Sequence, residues 1–87
     1  MSLSNIFTSN LPSLDLHGYD RETARVAIND YVNDNIKMKR PIFLIIHGIG
    51  SGILRITTKE TLKSNKNVEE YAIDFMNRGC TIVRIKL

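Results

Sequence analysis

Between Pro41 and His47 the chain runs Ile-Phe-Leu-Ile-Ile with no polar residue, and this block limits the possible folds more than any other segment. β-Branched and aromatic residues favour extended backbone, and the absence of polar alternation fits a strand covered on both faces or central in a sheet. The chain has 87 residues, and a domain of that size buries only about two-thirds of its unfolded surface. There is room for one core, and Ile42 to Ile46 belongs at its centre.

The flanking periods supply the rest of that core. Ser13 to His17 alternates, with Leu14 and Leu16 on one side and Asp15 and His17 on the other, which is the pattern of a half-buried strand. Gly18 ends it. Asp20 is placed to cap a helix whose apolar positions Ala24, Ile28, Tyr31, Val32 and Ile36 recur at steps of three and four, leaving Arg21, Arg25, Asn29 and Lys37 outward. A second helix is predicted from Ser51–Ile53 to about Ser64, although Ile56, Thr57 and Thr58 are mediocre helix formers. Val68 to Phe75 and Cys80 to Leu87 read as strands joined by a turn in which Gly79 is free to take a positive φ. The order is βαβαββ. The expected fold is an α/β two-layer sandwich, a four-stranded mixed sheet with two helices on one face, its first two strands parallel and its last two antiparallel. Residues 1–12 show no sustained pattern and are read as a flexible lead-in to a single domain at 13–87.

Composition narrows the function classes. The longest apolar run is far short of the roughly 20 residues a bilayer requires, so no membrane association is expected, and the N-terminus lacks a secretory pattern. The one cysteine, Cys80, has no intramolecular partner and lies in an apolar run, which suits a packed thiol in a reducing cytoplasm. The net charge of +3 is unevenly placed. Five cations balance five anions up to residue 40, so the excess lies beyond it, where Arg55, Lys59, Lys63, Lys66, Arg78, Arg84 and Lys86 face Glu60, Glu69, Glu70 and Asp74. A basic half fits a polyanionic partner, although a solvated helix face explains many such counts.

The sequence His47-Gly48-Ile49-Gly50-Ser51-Gly52 follows the apolar strand and precedes a helix. Ligands of open α/β sheets collect beyond the carboxyl ends of parallel strands. Glycines there let successive N–H groups turn toward one anion, and the helix start adds unpaired donors and a favourable dipole. Phosphate is the natural guest. The loop is neither a P-loop, which needs Lys-Ser/Thr after the last glycine, nor a dinucleotide fingerprint, which needs Gly-x-Gly-x-x-Gly. The plain alternative is a βα turn without a ligand. Arg55, Lys59 and Lys63, at steps of four, would extend the loop into a basic stripe along which a phosphodiester backbone could lie.

Asp15 and His17, two apart on one strand, and His47, at the end of the next, are the candidate catalytic groups. An imidazole can take a proton from an attacking hydroxyl or give one to a departing oxygen, with a carboxylate orienting it. The same three groups could ligate a divalent metal that activates water. Acid–base work without a required cofactor is preferred, because these loops hold no further carboxylates.

Leu14-Asp15-Leu16-His17-Gly18 followed by Ile45-Ile46-His47-Gly48-Ile49-Gly50-Ser51-Gly52-Ile53-Leu54-Arg55 resembles the Smr domain, the small MutS-related domain, over residues 13 to 87. The resemblance implies a fold similar to the C-terminal half of a bacterial translation initiation factor. It also implies phosphodiesterase chemistry on nucleic acid, as in DNA-nicking modules attached to MutS-like ATPases and in RNA-cleaving proteins acting on stalled or collided ribosomes. By position, Asp15 and His17 match the family's Asp-x-His element, associated with cleavage. His47, Gly48, Gly50 and Gly52 match its His-Gly-x-Gly-x-Gly element, and Arg55 matches the basic residue after the leucine. Two departures stand out. Ile49 replaces a lysine often found between the first two glycines, and the glycine-rich stretch before the last strand is reduced to Gly79. Nucleic acid, RNA or DNA, is the implied partner, with the ribosome a further one. A non-catalytic binding module is the alternative.

Overall fold

The computed structural model describes residue 3, residues 10–50 and residues 52–87. Most of the predicted lead-in and Ser51 lie outside the described residues. The elements are β1 (Ser13–Asp15), α1 (Arg21–Lys37), β2 (Ile42–Ile46), α2 (Ile53–Ser64), β3 (Val68–Ile73) and β4 (Cys80–Ile85). They form one sheet in the order β1-β2-β4-β3, with β1 parallel to β2 and both β2–β4 and β4–β3 antiparallel. This is the predicted mixed sheet, and the apolar strand β2 is one of its two inner members.

Local chemistry sets the helix ends. The Asp20 side chain accepts from the Thr23 amide at 2.7 Å and caps α1. Helix α2 starts instead from Gly52, in left-handed backbone at φ 85°, with no side-chain cap. The threonines that made α2 a doubtful helix are buried and accommodated by the helix itself. The hydroxyls of Thr57 and Thr58 donate to the Ile53 and Leu54 carbonyls four residues back.

Strand alternation sorts the sheet into two faces. Leu16, Phe43, Ile45, Val83 and Ile85 join Ala24, Ile28 and Val32 of α1 and Leu62 of α2 in the main core, with the Tyr31 and Phe43 rings edge to face at 5.0 Å. Leu44 and Ile82 point the other way and are covered by Leu3, with Leu11, Ile42 and Ala72 beside them. Register places Asp15, Ile46 and Cys80 on this second face, because Asp15 pairs with Ile46 and Ile46 with Cys80.

Candidate functional site

The carboxyl ends of β1 and β2 open into a cleft of about 220 Å³ lined by Asp15, His17, Ile46, His47 and Gly48. The parallel pairing of β1 with β2 produces this meeting, since both strands end at the same edge. The strand stops at Asp15, so His17 sits in the following turn, exposed, with its amide donating to Asp15 Oδ1 at 2.9 Å. That bond fixes the carboxylate against its neighbour. Cys80 lies close by as a buried free thiol, and burial, aided by the Asp74 and Asp15 carboxylates, pushes its pKa up. It is the packed thiol its sequence context suggests.

His47 departs from the expectation of a third proton-transfer group. Its ring is buried, with Nδ1 2.9 Å from the Gly48 carbonyl and Nε2 2.9 Å from Thr81 Oγ1. A carbonyl only accepts, so Nδ1 carries the hydrogen, and burial holds the ring neutral, so Nε2 accepts from the Thr81 hydroxyl. The nearby Arg55 charge lowers the imidazole further, against the opposing pull of the Gly48 carbonyl. Thr81 shares a face with Val83 and Ile85, so the imidazole is turned to the helix side while Asp15 belongs to the opposite face. The cleft therefore unites Asp15 and His17, with His47 as its back wall. Sequence reasoning missed Thr81 because nothing local marks a threonine as the partner of a histidine 34 residues away.

The start of the glycine loop is tied to the turn before β4. The amides of His47 and Gly48 both donate to the Gly79 carbonyl at 2.9 Å. The amides of Ile49, Gly50 and Gly52 have no protein partner among the described residues, and the first turn of α2 contains no acid. Gly48 and Gly52 have φ values of 78° and 85°, where a side chain is strained. Gly79 differs from its predicted role. It is absent from the positive-φ positions, and its requirement is steric, since an added Cβ would come within 3.3 Å of the Gly48 Cα. The Arg55 guanidinium reaches back over the loop, 3.4 Å from where a Cβ on Gly52 would stand.

Lys59 and Lys63 are exposed on α2, as the four-residue spacing required. Only Lys59 joins Arg55 in lining a second depression, about 440 Å³, between α2 and the β3–β4 hairpin. Its opposite wall includes Arg78, which sequence reasoning counted as charge but did not place. Among the described residues no cluster of three or more His, Cys, Asp or Glu side chains is arranged to hold a metal ion.

Two layers in βαβαββ order, with an Asp-x-His turn and a His-Gly-x-Gly-x-Gly loop at adjacent parallel strand ends, define a small α/β domain with its candidate site at one sheet edge. The chain belongs to the Smr domain family, whose model it matches over residues 14–86. It is 38% identical over 72 residues to an endonuclease MutS2 of Geobacillus sp. (strain WCH70), covering 83% of this chain and 9% of that protein. It is 33% identical over 76 residues to endonuclease MutS2 of Alkaliphilus metalliredigens, covering 84% and 10%. The chain thus spans about a tenth of the length of these curated relatives. Among solved structures, the Smr domain of Thermus thermophilus MutS2 superposes with a TM-score of 0.85 at 24% identity, covering 88% of this chain and all of that one. YdaL, a stand-alone small MutS-related protein from Escherichia coli, gives 0.83 at 20% identity over 93% and 69%. At those identities the likeness is one of fold.

Proposed function

We propose that the chain is a nucleic-acid phosphodiesterase, an endonuclease that cuts RNA or nicks DNA. One observation carries this reading: the cleft that unites Asp15 and His17 adjoins a loop whose amides at Ile49, Gly50 and Gly52 have no partner among the described residues. A phosphate at the loop would meet those N–H groups, the bare start of α2 and the Arg55 guanidinium. Arg55 in the first turn opposes the helix dipole unless an anion lies between them. Fixed donors of this kind stabilise the charge that builds on the non-bridging oxygens during displacement at phosphorus. His17 is the one imidazole of the site without a buried partner at each nitrogen, and it takes the proton-transfer role. Asp15, which accepts from the His17 amide, is held beside it as the carboxylate of the pair. His47 positions the loop and takes no part in proton movement. The name of the curated relatives, endonuclease MutS2, is consistent with this assignment.

The test is cleavage of labelled RNA and of supercoiled plasmid, each with and without chelator. Asp15→Ala and His17→Ala should each slow cutting by about 10²- to 10⁴-fold, the usual contribution of general acid–base groups. Unchanged cutting by both variants would remove the assignment. The saturated hydrogen bonding of His47 favours a second reading, a module that holds phosphate without cutting. In that case oligonucleotides bind with affinity falling steeply as salt rises, and no condition yields product.

A further inference from the structure

The groove between α2 and the β3–β4 hairpin lies outside the proposed cleavage cleft. We propose that it holds a nucleotide unit of a single-stranded nucleic acid, with Arg78 as a phosphate contact. The inference rests on the nucleic-acid reading above and names a subsite for it. Three cations, Arg55, Lys59 and Arg78, line the groove, and no acidic side chain does. Among the described residues none of the three forms an ion pair, whereas Arg25 and Arg84 are both paired with glutamates. Between the cations lies an apolar floor. Tyr71 and Ile73, two apart on β3, share the helix-facing side of the sheet, and Ile56 rises from α2 with more than half its surface exposed. The volume of about 440 Å³ suits a small-ligand pocket, which spans roughly 300–1,000 Å³.

Cations around an apolar, partly aromatic floor match a polymer that alternates phosphate with flat, stackable bases. A duplex would offer only its phosphates, because its bases are already stacked inside. Thr81 closes the inner end of the groove, and its hydroxyl bonds His47, the first residue of the glycine loop. A strand seated here would leave the groove at that loop. The track consequently differs from the stripe suggested by spacing alone. Lys63 is in the last turn of α2 and does not line the groove, while Arg78, from a distant hairpin turn, does.

That contrast provides the test. Binding of 5′-labelled octauridylate and octadeoxythymidylate is measured by fluorescence anisotropy across a salt series, using the full chain and its Arg78→Ala, Lys63→Ala and Ile73→Glu variants. Arg78→Ala should weaken binding about fivefold and reduce the log–log salt slope by about 0.7, the loss of one single-strand phosphate contact. Lys63→Ala should stay within about twofold, since a distant exposed charge acts only through a screened field. Ile73→Glu, which puts a carboxylate on the floor, should weaken binding more than Arg78→Ala does. Thermal melts of the exposed-site variants Arg78→Ala and Lys63→Ala confirm that both remain folded. Equal losses from Arg78→Ala and Lys63→Ala, or a larger loss from Lys63→Ala, would overturn the groove, as would tighter binding of a blunt duplex than of the single strands. Arg78-dependent binding without any cleavage would overturn the nuclease reading and leave the groove standing. Cleavage with a KM unmoved by Arg78→Ala would do the reverse.

Discussion

At the scale of single residues, His47 carries the clearest pH dependence. In the unfolded chain its imidazole takes up a proton near pH 6.5, whereas in the fold burial lowers its pKa. Between those two values the unfolded state binds the extra proton, so stability rises with pH across the window. The neutral ring's contribution is fully present above about pH 6.5 and is lost as the pH falls through the folded value. Urea midpoints measured from pH 7.5 to pH 5 should fall on acidification, and His47→Asn, which keeps a donor for the Gly48 carbonyl but cannot titrate, should flatten that fall. A variant curve parallel to the wild type would show that another group controls the acid limb. His47 also marks where residue-level reading of the sequence reaches its limit. Its position at a strand end was legible from the apolar run before it, but the direction of its ring was not, because that depends on Thr81 from the far end of the chain.

At the scale of elements, the β3–β4 hairpin sets the shape of the glycine loop. Asp74 Oδ1 accepts from the Met76 amide, Asn77 Oδ1 accepts from the Gly79 amide, and the Gly79 carbonyl then receives both His47 and Gly48. The turn thereby anchors one side of the candidate site. Gly79→Ala places a methyl group 3.2 Å from Asn77 Oδ1 and 3.3 Å from the Gly48 Cα, so one chain must yield. The expected cost is about 1–3 kcal/mol, as for other overpacked positions, and cleavage should drop more than about tenfold as the loop shifts. A chemical-denaturation curve and the plasmid assay check the two effects separately, and wild-type values in both would dissolve the link between hairpin and loop. The elements themselves were largely visible beforehand. Periods of two and of three to four, the Asp20 cap and the Pro41 break all reflect interactions within a few residues. The reason for Gly79 was hidden because close approach between two separate loops leaves no periodic trace.

At the scale of the whole molecule, the sheet divides the candidate functions between its faces. Asp15 belongs to the side covered by Leu3 and Leu11, while the cationic groove lies on the side of the helices. The glycine loop joins them at the strand ends, so a strand held in the groove must pass over that edge for a phosphate to reach Asp15 and His17. On the proposed reading, cleavage should therefore depend on substrate length. A dinucleotide with its one phosphate at the loop has no second phosphate to offer Arg78 on the far wall of the groove. Each added nucleotide that reaches the groove brings a phosphate to a free cation and a base to the apolar floor, so kcat/KM should climb steeply up to about six nucleotides and then level off. A series of end-labelled oligonucleotides from two to twelve residues tests this. In Arg78→Ala the rise should shrink while the dinucleotide rate stays at its wild-type value, since Arg78 does not line the cleft of Asp15 and His17. A flat length profile in the wild type would mean that the two faces act independently and that the loop does not connect them.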